Sequence, residues 1–210
     1  MQRANGSTRS RKESLIVLVR HGHAGNNEGA MLSSDNNAYS LTSSGIAQSK
    51  AVTAELRKLK LDIIVSSQAL RARQTSGYIA IGTGLGYFVT DPRLNERNFG
   101  QLEGTKADGY NWRFVKDRGV ETYWELLARS SDVINDCPSG VIVAVTHGDV
   151  MRAPVLDILG LDETSGFGVR NYNANMNLLH VLGGRTRLIG FGLPILADEV
   201  LQRIPGQFRS

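Results

Sequence analysis

Leu15-Ile16-Val17-Leu18-Val19-Arg20-His21-Gly22-His23 is the stretch on which the reading of this chain turns. The apolar run from Leu15 to Val19 has the pattern of a β-strand buried on both faces. It ends on a cation and an imidazole. In α/β folds the carboxyl ends of the strands are where ligands bind. Gly22 lets the backbone approach a ligand closely or take a positive φ. A histidine beside a permanently charged guanidinium is badly placed to hold a metal ion. It is well placed to meet an oxyanion, because arginine offers a planar fork of donors that matches phosphate.

Further along, the same grammar recurs. Val141-Ile142-Val143-Ala144-Val145 is a second apolar, β-branched run. It leads into Thr146-His147-Gly148-Asp149, with a helix expected from about Val150. Two strand-His-Gly units far apart in sequence predict one shared site. Two other segments belong with them. Ile63 to Ser67 is a short strand running into Gln68-Ala69-Leu70-Arg71-Ala72-Arg73-Gln74-Thr75, an arginine-rich helix start. Asp91 to Gly104 is a loop in which Glu96 stands among basic and glycine neighbours.

With these blocks in hand, the chain resembles the histidine phosphatase superfamily, also called the phosphoglycerate mutase-like family. Arg20-His21-Gly22 with Asn27 matches its opening motif. Ser67 with Arg71-Ala72 and Gln74-Thr75 matches the block that carries a second arginine. Leu94-Asn95-Glu96-Arg97 with Phe99-Gly100 and Glu103-Gly104 matches the acid-bearing loop. Thr146-His147-Gly148 with Arg152 matches the closing histidine block. Weaker echoes are Leu41-Thr42 with Gly45 and Gln48, and Glu121-Thr122 with Arg129. The four blocks occur in the family's order and span most of the chain.

The resemblance implies a metal-independent phosphoric monoester hydrolase. His21 would be the nucleophile and would form a phosphohistidine. Arg20, Arg71 and His147 would surround the phosphoryl group, with Asn27, Gly148 and His23 as further phosphate or substrate contacts. Glu96 would protonate the leaving oxygen and then assist water. No cofactor and no metal is implied. Arg73 rivals Arg71 for the inward position, but motif alignment favours Arg71. Glu103 and Asp91 rival Glu96, and Glu103 reads as a turn or packing element. Arg152 reads as a salt-bridge residue behind the site. The chain departs from the family at His23 and Ala24, where Glu or Gln and then Ser or Thr are common. That removes a hydroxyl from the phosphate's surroundings and puts the substrate's identity in question.

Other readings come from different chemistry. His21-x-His23 has the spacing of some metal sites, but Arg20 and Arg71 would repel a cation. Phosphoglycerate mutases of the family carry a long insertion between the acid loop and the closing histidine. Here the interval from Glu96 to His147 is short and holds a single proline, Pro138, although Trp112-Arg113 faintly echoes part of that insertion. The sequence therefore favours phosphatase, with a cofactor-dependent phosphoglycerate mutase as runner-up. A phosphate-binding module without turnover is the non-enzymatic alternative. The expected substrate is a small phosphorylated metabolite or a phosphoprotein.

Composition agrees with one domain. The chain has 210 residues, 41% of them hydrophobic, which suits a soluble α/β fold. No apolar run is long enough for a membrane helix, and the N-terminus lacks the apolar stretch of a secretory signal. A single cysteine, Cys137, excludes an intrachain disulfide and suits a reducing cytoplasm. The net charge is +4, yet residues 1–14 hold four cations against one acid. Residues 1–14 are expected to be a disordered basic tail and 15–210 a single domain. The body lacks the basic, aromatic-studded face that nucleic acid needs.

The periodicities predict strands at 15–19, 62–66, 87–90 and 141–145. They predict helices from Thr42 or Ser43 to about Lys60, at 70–83, at 122–135 and at 150–159. Gly183-Gly184 signals a late hairpin. Trp124, Leu127 and Ile134 are expected to face inward. The fold class is α/β: a three-layer α/β/α sandwich around a mixed, mostly parallel sheet, phosphoglycerate mutase-like.

Overall fold

The residues described in the computed structural model are 12–107 and 118–210. Trp112-Arg113 and the tail 1–11 lie outside them. β1 (Glu13–Arg20) is central, and its alternation divides the molecule. Leu15, Val17 and Val19 point into one apolar core, Ile16 and Leu18 into another. A strand can present two cores only if both faces of its sheet are covered. That is why its sequence reads as unbroken apolar rather than alternating.

The remaining elements supply those covers. In chain order they are α1 (Gly25–Glu28), α2 (Ser43–Leu56), β2 (Ile63–Ser66), α3 (Leu70–Thr83) and β3 (Val89–Thr90). Then come α4 (Tyr123–Asp136), β4 (Gly140–Thr146), α5 (Gly148–Ile158), β5 (Met176–Leu182), β6 (Arg185–Leu193) and α6 (Asp198–Leu201). The sheet order is β3-β2-β4-β1-β5-β6. β3, β2, β4 and β1 pair in parallel, while β5 and β6 are antiparallel. α2 and α3 contribute Val52, Leu56, Ile79 and Ala80 to one core. α4 and α5 contribute Val133, Ile134 and Met151 to the other. This is the three-layer, mixed sheet expected from the sequence.

Register sets the site. β1 and β4 run side by side with Leu18 beside Ala144 and Arg20 beside Thr146. The residues that follow, His21 and His147, therefore emerge from neighbouring strands at the same level. The His21 N–H donates to the Thr146 carbonyl at 2.9 Å. β2 lies on the far side of β4, and the Ser67 N–H donates to the Val145 carbonyl at 2.9 Å. Three parallel strands thus deliver Ser67, His147 and His21 in one row.

Three local expectations are corrected. The first strand begins at Glu13, so the last two residues of the expected tail belong to the sheet. Glu13 is held there by His180 at 2.8 Å and by Gln207, and the Ser14 hydroxyl donates to the Pro138 carbonyl. The helix from Thr42 stops at Leu56 instead of Lys60, and Leu59 instead bridges to Arg209 at the chain's end. Trp124 is 71% exposed; the inward stripe of α4 is Tyr123, Leu126, Leu127, Ser130, Val133 and Ile134. Leu127 and Ile134 face inward as expected, and Thr122 caps this helix in a capping box with Glu125. Cys137 is buried just past α4, and burial pushes its thiol up to about 11.

Candidate active site

His21 leaves β1 and turns under α2. The turn is tight because a side chain at Gly22 would strike the Gly45 carbonyl and the Ser49 hydroxyl. A side chain at Gly45 would in turn strike the His23 carbonyl. The requirement on Gly22 is thus close approach to α2, with no positive φ involved. Its N–H donates to Thr75 Oγ1 on α3 at 3.0 Å, which pins the loop between two helices.

The imidazole of His21 is 1% exposed, and its protonation is set by its partners. Nδ1 lies 2.7 Å from the Gly22 carbonyl, which can only accept, so Nδ1 carries the proton. Arg71 Nε, which can only donate, points at Nε2 from 3.3 Å. Nε2 therefore carries the lone pair and faces the guanidinium. Burial, then Arg71 and Arg20, push the ring's pKa well below the ordinary imidazole value. The group is a neutral imidazole with an aimed lone pair.

Arg71 comes from the first turn of α3 and is 1% exposed. Its Nη2 donates to the Ser33 carbonyl at 2.9 Å and approaches His147 Nδ1 at 3.3 Å. Arg71 is the inward arginine; Arg73 sits on the half-buried side of α3 and reaches Asn37 Oδ1. Arg20, the last residue of β1, donates through Nη1 to the Asn171 carbonyl at 2.7 Å. Among the described residues its buried Nε has no hydrogen-bond partner. His147 caps α5 and packs edge-on to His21, ring centroids 5.1 Å apart. It is fully buried and also held neutral, by burial first and then by Arg71, His21 and Arg20.

Glu96 completes the group. One carboxylate oxygen accepts from the Arg97 N–H at 2.9 Å, and the other lies 3.6 Å from His147 Nδ1. Burial, with a contribution from Asp149, pushes this carboxyl up to about 7 against the opposing pull of Arg71 and Arg20. Glu96 can therefore hold a proton near neutral pH. Its loop is fixed by Arg129 on α4, which donates to the carbonyls of Arg93, Asn95 and Glu96 and pairs with Glu121 at 2.6 Å.

Above this floor opens a cavity of about 430 Å³. Arg20, His23, Asn27, Glu96, Gly148 and Arg152 line it. Asn27 Oδ1 accepts from the Ala24 N–H at 3.0 Å and from Asn173 Nδ2 at 3.3 Å. Because a backbone N–H must meet an oxygen, the Asn27 amide nitrogen is the end left for a ligand. His23 touches Thr42 Oγ1 through Nδ1 at 3.0 Å, so its ring stands on the wall. Ala24 is fully buried and bridges to Leu41. Arg152 lies at the rim and is tied to Asp149 at 2.6 Å. Glu103 accepts from the Ser34 N–H and hydroxyl, pinning the loop over the site, while Asp91 pairs with Arg93 well outside it. Among the described residues, no group of three or more His, Cys, Asp or Glu is arranged to hold a metal ion.

The sequence reading missed several contributors. Ser67 belongs to the second block by sequence but has no task there; its hydroxyl lies 2.8 Å from His147 Nε2. Asn171 and Asn173 support Arg20 and the His21 carbonyl from the loop before β5. That loop takes its shape from Ala174, whose φ of +58° is unusual for alanine, and whose N–H donates to the Arg20 carbonyl. The closely spaced asparagines there were the signal available.

Comparison with known proteins bears on the family and the fold. The model of the histidine phosphatase superfamily (branch 1) matches residues 16–193. A 2,3-bisphosphoglycerate-dependent phosphoglycerate mutase of Thermoplasma acidophilum is 29% identical over 185 residues, covering 84% of this chain and 92% of its own. Two solved structures share the fold. Phosphoglycerate mutase from Bacillus anthracis superposes with a TM-score of 0.76 at 16% identity, covering 88% of this chain and 95% of that one. A mycobacterial glucosyl-3-phosphoglycerate phosphatase gives 0.70 at 24% identity, over 85% and 98%.

Proposed function

From the premise that this chain belongs to the histidine phosphatase superfamily, we propose that it hydrolyses phosphomonoesters through a phosphohistidine on His21, without a metal. The observation that carries this reading is the neutral His21 with its Nε2 lone pair aimed into a cluster of guanidinium donors. A phosphate dianion entering from the cavity would take over the Arg71 contacts. His21 Nε2 would then attack phosphorus in line with the departing oxygen. Arg20, Arg71 and His147 would carry the charge on the equatorial oxygens, joined by the Asn27 amide and the Gly148 N–H. Glu96 would give its proton to the leaving alkoxide. As a carboxylate it would then take a proton from the water that attacks the phosphohistidine, releasing inorganic phosphate. The positive charge such a transfer needs is already supplied by two guanidinium groups.

One observation favours a second reading. The Thermoplasma acidophilum relative is matched over 92% of its length and bears a mutase name. A short interval between Glu96 and His147 therefore does not by itself separate phosphatase from mutase. The discriminating experiment is hydrolysis of an aryl phosphate with EDTA present, wild type against His21→Ala, alongside acid-quench trapping of labelled enzyme. Turnover that survives EDTA, vanishes in the variant and passes through an acid-labile phosphoenzyme supports the phosphatase. Turnover abolished by EDTA overturns it. A phosphoenzyme that transfers its group to 3-phosphoglycerate faster than to water makes the protein a mutase. Phosphate binding with no phosphoenzyme makes it a binding module.

A further inference from the structure

We propose that Ser67 and Asn95 form a positioning relay that holds His147 with Nδ1 turned to the reacting phosphoryl group and lets it become an imidazolium when that group arrives. The proposal deepens the phosphatase reading and rests on it for the phosphoryl step. The relay's geometry stands apart from that reading. Donors and acceptors assign each link. The guanidinium Nη2 of Arg71 can only donate, and it faces His147 Nδ1 at 3.3 Å. Nδ1 is therefore the acceptor, and the proton of the neutral ring sits on Nε2. Nε2–H donates to Ser67 Oγ at 2.8 Å. The Ser67 hydroxyl donates onward to Asn95 Oδ1 at 3.1 Å. Asn95 Oδ1 is held as an acceptor by the Gln68 N–H at 2.8 Å, and the Asn95 amide nitrogen donates to Gln68 Oε1. Every proton in the chain has one direction.

This direction has a chemical consequence. A phosphoryl oxygen needs a donor, whereas the neutral His147 offers it an acceptor. Once the dianion displaces Arg71 from Nδ1, one proton taken up from bulk water adds to Nδ1 and is held between ring and phosphate, so that binding consumes one proton. The second N–H of the resulting imidazolium is already satisfied by Ser67. The groups facing His147 are Arg71 on α3, His21 and Arg20 at the end of β1, Arg129 on α4 and Glu96 in its loop. The three arginines oppose the added charge, and Glu96 lies 3.6 Å from the nitrogen that would take it. An unpaired Nε2–H in this fully buried setting would make the imidazolium harder still to form.

The test uses ¹⁵N-resolved histidine spectra, orthovanadate affinity and turnover in the full chain. In the free wild type, His147 is expected with Nε2 protonated and Nδ1 bare. With orthovanadate bound, both nitrogens are expected to be protonated. Ser67→Cys keeps the shape and weakens the acceptor. It is expected to lower kcat and orthovanadate affinity on the order of ten- to hundred-fold, by analogy with metal-bound histidines that lose the partner orienting the ring. Asn95→Asp places a negative charge at the end of the relay and is expected to move the His147 titration to higher pH. A wild type with Nδ1 protonated and Nε2 bare overturns the relay. So does a folded Ser67→Cys within threefold of wild type, or a folded Asn95→Asp with an unmoved His147 titration. Failure to trap phosphohistidine on His21 overturns the parent reading but leaves the tautomer result intact.

Discussion

At the residue scale, the site is built from groups whose protonation states are set by burial. On the proposed mechanism His21 attacks as a neutral imidazole, and burial beside two arginines keeps it neutral. On the same mechanism Glu96 gives a proton to the leaving group, and its pKa of about 7 permits that at neutral pH. The rate then requires pH above the depressed value of His21 and below that of Glu96. We expect kcat/KM for an aryl phosphate to fall as pH rises through about 7. Glu96→Gln should abolish that alkaline limb along with most of the turnover. The same carboxyl bears on stability, and the sign is opposite to that of a salt-bridged acid. Its folded pKa lies above the ordinary 4.5, so nothing is lost below that pH. As pH rises toward 7 the buried group must ionise or stay protonated against solvent, at a cost with a ceiling of ~3 kcal/mol. Glu96→Gln should therefore melt above wild type at pH 8 and level with it at pH 4. Equal melting temperatures at both values would mean the carboxylate is well solvated.

At the scale of elements, two supports decide whether those groups meet. Arg129 on α4 holds the carbonyls of Arg93, Asn95 and Glu96 in the acid loop, a task no apolar residue can do. Arg129→Met should free the loop. We expect kcat to drop roughly tenfold or more while phosphate affinity stays within a few-fold, since the phosphate donors stand on other elements. A parallel fall in affinity would place Arg129 in the phosphate site itself. The second support is the contact of the His21 turn with the start of α2. Gly45→Ala would drive a methyl into the His23 carbonyl, which is backbone and cannot swing aside. We expect a loss of ~1–3 kcal/mol in urea unfolding together with reduced turnover. A variant that keeps both would show that the turn has slack. Thr42 shows how much of this was readable beforehand. The sequence puts a helix start at Thr42 or Ser43, and the structure chooses Thr42, whose hydroxyl accepts from the Gly45 N–H, whereas the clamp by Arg129 has no local signature.

At the scale of the whole molecule, the sheet keeps two cores apart. Leu56 packs on one face with α3, and Met151 on the other with α4. Leu56→Ala and Met151→Ala should each cost ~2–5 kcal/mol. Their effects should add to within ~0.5 kcal/mol, because the sheet lies between them. Strong non-additivity in urea titrations would mean the layers are coupled through the strands. Among the described residues, no helix is long and apolar enough to cross a membrane. The sequence by itself determined the strands, most of the helices and which residues stand at the carboxyl ends of the central strands. Those are encoded locally, by unbroken apolar runs, capping residues and the Arg-His-Gly grammar at strand ends. It also carried the expectation that two distant histidines share one site. Only the tertiary structure decided which way the nitrogens face, which side of α4 is buried and what holds Glu96. The register of β1 on β4 brings His21 to His147, and the neighbouring β2 adds Ser67. Such partners lie tens of residues apart, so no window of sequence contains both ends of the hydrogen bond that fixes a proton.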